Sequence, residues 1–215
     1  MYDKKISSLE EFHAALKEQW TSHSVYRGES DVSYKLKCKL GRTDDFNAEI
    51  NIVEEFKRRA IPYLKGKPEN EWEWLALAQH HGLPTRLLDW TTNPLIAAYF
   101  ACHKRYEGDS VLYVMDRYSL DSLDETESPY SIKENYFYEP PHSSERFYAQ
   151  HGLFVVQKTP QEEFKNMSLQ KWKLEESVLI DLDVMLSTYG VNEATVFPGL
   201  DGISRDICES WGLDF

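Results

Sequence analysis

The segment LAQHHGLPTRLLDWTTNPLIAAYFA, residues 77–101, changes backbone type several times within a short length and therefore decides how the chain folds. It opens on the last turns of a helix predicted over 70–81, where apolar residues recur at helical spacing. Gly82 and Pro84 follow in the order typical of a glycine cap and a proline that cannot continue the helix. A different element must therefore begin directly after this turn.

The second half of the segment predicts a strand and then a buried helix. Residues 85–90 form a short and largely apolar run, which favours a strand. The run TTNP at 91–94 supplies residues that cap a helix and a proline suited to its first turn. Residues 95–102 are apolar on nearly every side, so we expect this helix inside the core. The succession of helix, strand and buried helix indicates an α+β fold.

The rest of the chain supports the same fold class. Further helices are predicted from Ser8 to Trp20, over 46–60, over 183–189 and from Asp201 onward, and further strands over 24–28, 110–115, 154–156 and 177–180. In the last helix, Ile203, Ile207 and Trp211 are spaced for one face. The acidic stretch 118–143 contains serine and proline and predicts loops.

These elements suggest one domain over residues 1–215. We expect a helical N-terminal part to about residue 82 and a strand-rich core that includes 24–30 and 85–215. Hydrophobic residues make up 41% of the chain, which is enough for a sizeable core.

Charge and composition exclude several classes of protein. The chain has 24 Lys and Arg against 36 Asp and Glu, a net charge of −12, which disfavours broad contact with nucleic acid duplexes or anionic membranes. No signal peptide or membrane-spanning stretch is apparent, and Cys38, Cys102 and Cys208 show no CxxC spacing. The sequence therefore predicts a soluble cytoplasmic protein. No metal is expected, because His80, His81, His103, His142 and His151 show no HExxH spacing.

Three segments together resemble the FRG-domain family. They are VYRGES at 25–30, the segment 77–101 and FPGLDGI at 197–203. Tyr26-Arg27-Gly28 matches the aromatic-Arg-Gly motif for which the family is named, and the unusual residue order of 77–101 is the more specific part of the resemblance. The resemblance spans most of the chain, about 25–211, and by itself implies little chemistry.

A second resemblance, to arginine-directed ADP-ribosyltransferases with an Arg, Ser-Thr-Ser and Glu signature, implies a reaction. Those enzymes place Tyr-Arg-Gly on a strand, a Ser/Thr-rich strand end before a helix, and an acidic pair before a Val-Leu-Ile strand. The similar segments here are 25–28, 90–100 and 175–180. Ser177 stands where the catalytic glutamate would lie, and Glu176 is one position earlier. The resemblance implies an ADP-ribosyltransferase-like core, NAD as substrate, and Glu176 or Glu175 as the catalytic carboxylate.

The residue types suit a dinucleotide substrate on chemical grounds. Arg27 can hold a pyrophosphate by paired hydrogen bonds beside Gly28, where backbone approaches closely. A carboxylate near the ribose would stabilise an oxocarbenium-like species, and Thr91 or Thr92 can orient it. Simpler roles remain open: Arg27 can pair with Glu29 or Asp89, the threonines can cap a helix, and Glu175 and Glu176 can face solvent.

Six further residues are candidates for the same site. Gln79, His81, Arg86 and Asp89 wrap a helix end, a turn and a strand, with His81 as a possible general acid or base or a helix cap. Arg86 and Asp89 form a buried pair in the simplest interpretation, or position a ligand. Arg146 and Gln150, which with Gly152 fit the FRG pattern, share one face if they lie on a helix.

The sequence thus predicts a domain that binds NAD or a related nucleotide, with ADP-ribosyl transfer or cleavage of the nicotinamide glycosidic bond as its reaction. The acceptor is left open between protein, nucleic acid, small molecule and water. The alternative is a non-enzymatic module in which exposed aromatics between Tyr130 and Tyr148 bind a protein or a single-stranded nucleic acid.

Overall fold

The structure is a computed structural model that describes residues 2–19, 21–64, 66–103, 107–141 and 145–213. Its helices are α1 (Leu9–Gln19), α2 (Glu49–Ala60), α3 (Glu71–His80), α4 (Pro94–Cys102), α5 (Glu145–Ala149), α6 (Glu176–Thr188), α7 (Glu193–Val196) and α8 (Leu200–Ser210). Its strands are β1 (Lys4–Ile6), β2 (Ser24–Glu29), β3 (Leu87–Thr91), β4 (Ser110–Asp116), β5 (Tyr136–Tyr138), β6 (Gly152–Val156) and β7 (Gln170–Leu174). Residues 1–82 contain the helices α1, α2 and α3 and also the strands β1 and β2.

One seven-stranded sheet organises the molecule, in the order β1-β7-β4-β2-β3-β6-β5. The pair β1 and β7 is parallel, and the other neighbouring strands are antiparallel. One apolar cluster packs α1, α4 and α6 on the centre of the sheet, a second lies around Val25 and Tyr113, and a third joins α2 and α3 to β3, β5 and β6. The α+β class predicted from the sequence is confirmed.

The predicted helix end and the predicted buried helix both form as expected. Gly82 adopts a φ of 92° and donates its N–H to the carbonyl of Gln79, while Leu83 donates to that of Ala78. This double hydrogen bond is the Schellman arrangement that closes a helix with glycine. In α4, Asn93 caps the first turn by accepting from the N–H of Leu95, and the helix is buried on most sides.

Gly28 brings β2 and α4 unusually close together. A Cβ added at Gly28 would lie 1.9 Å from the carbonyl oxygen of Ala97 and 2.7 Å from the amide nitrogen of Ala101. The missing side chain therefore makes room for the helix backbone. The close approach expected at this glycine is accordingly one between two elements of the chain.

The two central strands separate over most of their length. Within the described residues, β2 and β3 are paired at Tyr26 and Thr91, whereas β2 and β4 pair along the whole of Ser24–Glu29. Beyond that single pair the strands diverge, and side chains occupy the gap. This split in the sheet creates the cavity described below.

The strand predicted over 177–180 is wrong, because these residues lie in the first turns of α6. Apolar residues continue beyond the short β-branched run at Val178, Leu182, Met185 and Leu186, which is helical spacing, and all four are buried. The Asp109 carboxylate also accepts from the N–H of Glu176 at 3.0 Å, at the first turn of the helix. The strand in this region is β7, whose alternation rests on Trp172 and Leu174 alone.

One further prediction needs correction, and the last helix exposes its apolar face. The stretch 118–143 is not all loop, since β5 lies within it and pairs with β6; residues 142–144, like Trp20, lie outside the described residues. The apolar face of α8 is exposed, with Ile203, Ile207 and Trp211 at 47%, 52% and 78% of their full accessibility. Helix α8 instead packs through Gly202, where an added Cβ would meet the Phe197 carbonyl. None of the helices in the described ranges combines the length and apolarity needed to cross a bilayer.

Candidate functional site

A cavity of about 680 Å³, here called the central cavity, opens where β2 and β3 separate. Its walls come from these strands, from the C-terminal end of α3, from α4 and α5, and from the start of β6. Its volume lies within the roughly 300–1,000 Å³ typical of small-molecule pockets. The predicted site residues that line it are Arg27, Gly28, Gln79, His81, Asp89, Thr91, Arg146 and Gln150.

The charge of Arg27 is compensated within the protein. Its Nε and Nη2 donate to Glu29 Oε1 at 3.1 and 2.8 Å, and its Nη1 donates to the backbone carbonyl of Asp89 at 2.6 Å. Because β2 and β3 have diverged here, no backbone N–H of β2 reaches the Asp89 carbonyl, and Nη1 of Arg27 supplies the hydrogen bond instead. Burial acts to lower the pKa of Arg27, but the carboxylates of Glu29 and Asp89 outweigh it and raise the pKa.

Glu29 is held from two sides. Its Oε1 accepts from Arg27 and, at 2.8 Å, from Nη2 of Arg42. Burial acts to raise the pKa of Glu29, but the two arginines outweigh it, so that the pKa lies below its usual value. The side chain is 9% exposed. These contacts make Arg27, Glu29 and Arg42 a structural network that joins β2 to β3 and to the loop after β2.

Arg146, on α5, lines the same cavity, but its charge is not compensated by a carboxylate among the described residues, as that of Arg27 is. Its guanidinium carbon lies 4.5 Å from the ring centroid of Phe197, and among the described residues it makes neither a hydrogen bond nor an ion pair. Burial lowers the pKa of Arg146, and the nearby charge of Arg205 acts in the same direction, against Asp89 and Glu193. A half-buried guanidinium without a bound acceptor therefore points into the site.

The carboxylate of Asp89 is positioned by its neighbours yet remains accessible. Gln79 Nε2 donates to Asp89 Oδ2 at 3.1 Å and to the carbonyl of Leu87 at 3.3 Å. Thr85 Oγ1 donates to Gln79 Oε1 at 2.8 Å, which fixes the orientation of the amide. Asp89 Oδ2 lies 3.7 Å from Arg27 Nη1, and its side chain is 61% exposed.

Two histidines stand at the end of α3 beside these groups. Burial lowers the pKa of His80 to about 4, with the charge of Arg146 adding to the effect, so His80 is neutral near pH 7. His81 is exposed, and its ring packs edge-on against that of His80 at 4.9 Å. The backbone N–H of His81 continues the helix by donating to Leu77, whereas no side-chain cap by either ring is observed among the described contacts. Both imidazoles line the cavity and can contact a ligand.

Thr91 and Gln150 tie the walls of the cavity together. Thr91 Oγ1 donates to the carbonyl of Gln150 at 2.7 Å and accepts from the N–H of Asn93. Gln150 Nε2 donates to the carbonyl of Val196 at 3.1 Å, and its N–H donates to the carbonyl of Arg146. Arg146 and Gln150 therefore lie on one helical face, as their spacing predicts, and both line the cavity.

Residues 22–110 match the sequence model of the FRG domain. These residues of the chain form an FRG domain. The matched part contains Arg27, Gln79, Asp89 and Thr91 but ends before α5 and Arg146. No curated protein and no solved structure shows a significant match to the chain.

The predicted pair between Arg86 and Asp89 is wrong. Positions three apart on a strand point to opposite faces, and Arg86 pairs instead with Glu49 of α2. Arg86 Nε and Nη2 lie 2.8 and 2.7 Å from Glu49 Oε2, and the backbone N–H of Arg86 donates to Oε1 at 2.7 Å. Glu49 is 2% exposed, so this buried ion pair anchors α2 to the start of β3. Arg86 and Glu49 are not among the residues that line the central cavity.

The structure does not bring Glu175, Glu176 or Thr92 to the cavity. Glu175 follows β7, which is separated from β2 by β4, and Glu176 begins α6 and is exposed. Neither carboxylate is among the residues that line the cavity with Arg27. Thr92 is exposed, and its N–H donates to the carbonyl of His151. The carboxylates that do line the cavity are those of Glu29 and Asp89.

The aromatic surface expected between Tyr130 and Tyr148 is not formed. Phe137 and Tyr138 are buried in the sheet, and Tyr130 and Tyr136 are partly buried. Tyr148 is 66% exposed. Successive side chains of β5 pack on opposite faces of the sheet, with Phe137 in one apolar cluster and Tyr138 in the cluster that includes α3.

Several residues of the site are missed by sequence reasoning. Lys39 lies at the cavity and donates to the carbonyl of Gly82, while Phe100, Phe147 and Leu153 supply apolar wall. They come from the loop after β2 and from α4, α5 and β6, and no local spacing relates them. The signal that could have found Lys39 is the excess of basic residues downstream of β2, which sequence analysis alone cannot place.

Proposed function

We propose that the central cavity of this FRG domain binds a small phosphate-bearing ligand of the nucleotide class, such as NAD. The observation that carries the proposal is the uncompensated charge of Arg146. Its half-buried guanidinium faces the cavity without an acceptor among the described residues. Arg27, which the family motif features, has its acceptors already.

An anion bound at Arg146 would compensate the charge of its partly desolvated guanidinium. Removing a charged group from water is unfavourable unless it is paired, and the contact of Arg146 with Phe197 offsets only part of that cost. A phosphate offers the planar pair of oxygens that a guanidinium binds best. Arg205, whose guanidinium carbon lies 5.4 Å from the same ring, is paired with Glu193 and leaves Arg146 as the guanidinium without an acceptor among the described residues at this ring.

The remaining groups suit the other parts of a nucleotide. Asp89 presents an accessible carboxylate that can accept from ribose hydroxyls, and neutral His80 can donate or accept a hydrogen bond there. Phe100 and Leu153 offer apolar surface for a ring. The site combines a few polar groups with apolar walls, as small-molecule pockets do.

Cleavage of the nicotinamide glycosidic bond is the second candidate function, and it is favoured by the position of Asp89. In the proposed step, water attacks the ribose carbon and loses a proton to the solvent, neutral nicotinamide departs with the bonding electron pair, and Asp89 stabilises the positive charge that develops on the sugar. The assignment replaces Glu175 and Glu176, which lie away from the cavity. The proposed relation to ADP-ribosyltransferases rests here on the shared ligand and reaction, not on shared catalytic positions.

A panel of ligands tests the binding proposal. Thermal unfolding of the purified protein is followed with NAD, ADP-ribose, AMP, inorganic phosphate and nicotinamide. We expect the unfolding temperature to rise with NAD, ADP-ribose and AMP and to stay unchanged with nicotinamide, which carries no phosphate. No shift with any phosphate compound at millimolar concentration would contradict the proposal.

Release of nicotinamide from NAD tests the reaction separately. We expect release by the wild type and loss of release in Asp89→Asn with NAD binding retained, while Glu176→Gln stays at the wild-type rate. Binding without release would leave the ligand proposal in place and reject the reaction. Loss of release in Glu176→Gln would reject the assignment to Asp89.

A further inference from the structure

The apolar side of helix α8 faces away from the protein. Four apolar side chains recur three or four positions apart and therefore share one side of the helix, namely Leu200, Ile203, Ile207 and Trp211. All four are exposed, whereas Gly202 is buried and packs against Phe197. These four residues are here called the C-terminal face. Surface helices normally turn their apolar side to the core, and an exposed apolar patch of this kind is typical of an interaction surface.

Negative charge accompanies the C-terminal face. Residues 176–213, which include α6, α7 and α8, contain seven acidic residues and one basic residue. The basic residue is Arg205, and it is already paired with the buried carboxylate of Glu193. On α8 itself, Asp201 and Glu209 are exposed. A partner that fits this face therefore combines apolar side chains with positive charge.

The end of α2 and the turn after it have this composition. Residues 57–68, with the sequence KRRAIPYLKGKP, contain five basic residues and no acidic residue. Two exposed arginines here share the carboxylate of Glu55, so positive charge remains in excess. Two exposed apolar side chains follow in the next turn. These four side chains are here called the basic patch, namely Arg58, Arg59, Ile61 and Tyr63.

The basic patch and the C-terminal face belong to different parts of the molecule. Helix α2 packs with α3 on β3, β5 and β6. Phe197, against which α8 packs, belongs instead to the apolar cluster of α1, α4 and α6. Neither surface contributes to the lining of the central cavity. An interaction between the two surfaces within one molecule is not observed among the described contacts, so each is open to another molecule.

We propose that the C-terminal face binds the basic patch of a second copy of this chain. In this contact, Ile61 and Tyr63 of one copy cover the apolar side of α8 of the other copy. The two arginines of the basic patch then approach the carboxylates that flank that side of α8. The contact joins two different surfaces, and contacts of this type build closed rings or open chains of molecules.

Charge complementarity decides which surface of the second copy is the partner. Pairing α8 with α8 of another copy would bring acidic flanks together, whereas the basic patch brings opposite charges together. Each copy carries a net charge of −12, which opposes association. The Debye length is about 10 Å in about 0.1 M salt, so the charges at the contact act more strongly than those elsewhere on the surface.

Sedimentation velocity of the full chain over a range of protein concentrations tests the proposal. At low ionic strength, we expect the mean mass of the wild type to rise with concentration above that of one chain. In about 0.5 M salt we expect a smaller rise, because salt screens exposed charges. A wild type that stays monomeric at every concentration would refute the proposal, and so would association that salt does not weaken.

Two variants that each disrupt one surface identify the contact. Ile207→Lys places a positive charge in the C-terminal face, and Tyr63→Glu places a negative charge in the basic patch; both residues are exposed. We expect each variant alone to associate at least tenfold more weakly than the wild type. An equimolar mixture should form one-to-one dimers, because each variant keeps the surface that the other lacks. Met167→Glu changes a fully exposed apolar residue between β6 and β7 and should associate as the wild type does.

The mixture separates this contact from its alternatives. If α8 pairs with α8 of another copy, Tyr63→Glu alone associates as the wild type does, and the proposal is refuted. A mixture that stays as monomeric as its two components also refutes it. Circular dichroism checks that each variant is folded. If Ile207→Lys does not fold, Trp211→Lys replaces it, because Trp211 belongs to the same face and is 78% exposed.

Discussion

The two arginines that line the central cavity differ in what compensates their charge. On the sheet wall, Arg27 is bound by Glu29 and by the backbone carbonyl of Asp89, and it closes the gap between two strands. On the helix wall, Arg146 lies against the ring of Phe197 and has no acceptor among the described residues. The residue with the more recognisable motif thus stabilises the fold, while the less recognisable one offers a charge to a ligand.

The largest expected effect is the difference in unfolding free energy between variants that lack one or the other guanidinium. Arg27→Ala leaves the buried carboxylate of Glu29 with Arg42 as its partner, and breaking a buried pair typically costs about 3–5 kcal/mol of unfolding free energy. Arg146→Ala removes a half-buried charge without an acceptor, and we expect a change within about 1 kcal/mol, because the lost cation–π contact is offset by relief of the unpaired charge. Urea unfolding of the two variants measures both values.

A similar cost for both variants would contradict the comparison. Arg58→Ala is the matched control, because Arg58 is an exposed arginine of α2 whose partner is Glu55 on the same helix. We expect it to unfold as the wild type does, within about 0.5 kcal/mol.

The second prediction concerns the backbone that carries Arg27. Gly28→Ala places a methyl group against the Ala97 carbonyl, and overpacking of this kind costs about 1–3 kcal/mol of unfolding free energy. Gly66→Ala is the control, because an added Cβ there meets nothing within 4 Å. Chemical denaturation of both variants measures the difference. If Gly28→Ala is as stable as Gly66→Ala, the contact between β2 and α4 is not as close as described.

The third and smallest prediction concerns pH on the helix wall. Because burial lowers the pKa of His80 from 6.5 to about 4, the unfolded chain binds a proton in this range that the folded chain does not bind. The stability contributed by neutral His80 is therefore complete above pH 6.5 and declines as the pH falls toward 4. In urea unfolding between pH 7 and 5, we expect His80→Asn to lose less stability than the wild type. An identical loss in both proteins would place His80 in water rather than in the cavity wall.

Sequence reasoning succeeds here where the signal is local. The end of α3 at Gly82 and the buried α4 follow from cap residues and periodicity within a few turns. The strand β7 is missed because two buried residues carry its pattern, and 177–180 is misassigned because the three apolar residues Val178, Leu179 and Ile180 fit either element. The buried residues Leu182, Met185 and Leu186, which continue at helical spacing, show that the segment is a helix.

The candidate site shows a similar limit. The spacing of Arg146 and Gln150 predicts their shared face, but the partner of Arg86 lies 37 residues earlier, at Glu49. Whether Arg86 pairs with Asp89 or with Glu49 depends on how α2 packs on β3, which local sequence does not reveal. Likewise, the compensated state of Arg27 and the uncompensated state of Arg146 result from tertiary contacts that no motif contains.

The most direct test of the central claim is a calorimetric titration with NAD of the wild type, Arg146→Ala and Arg58→Ala. We expect saturable binding by the wild type, affinity reduced at least tenfold in Arg146→Ala with the fold intact, and wild-type affinity in Arg58→Ala. A tenfold loss corresponds to about 1.4 kcal/mol, which is within the range of a charge-assisted hydrogen bond. Equal affinity of all three proteins for NAD would contradict the claim that Arg146 holds the ligand.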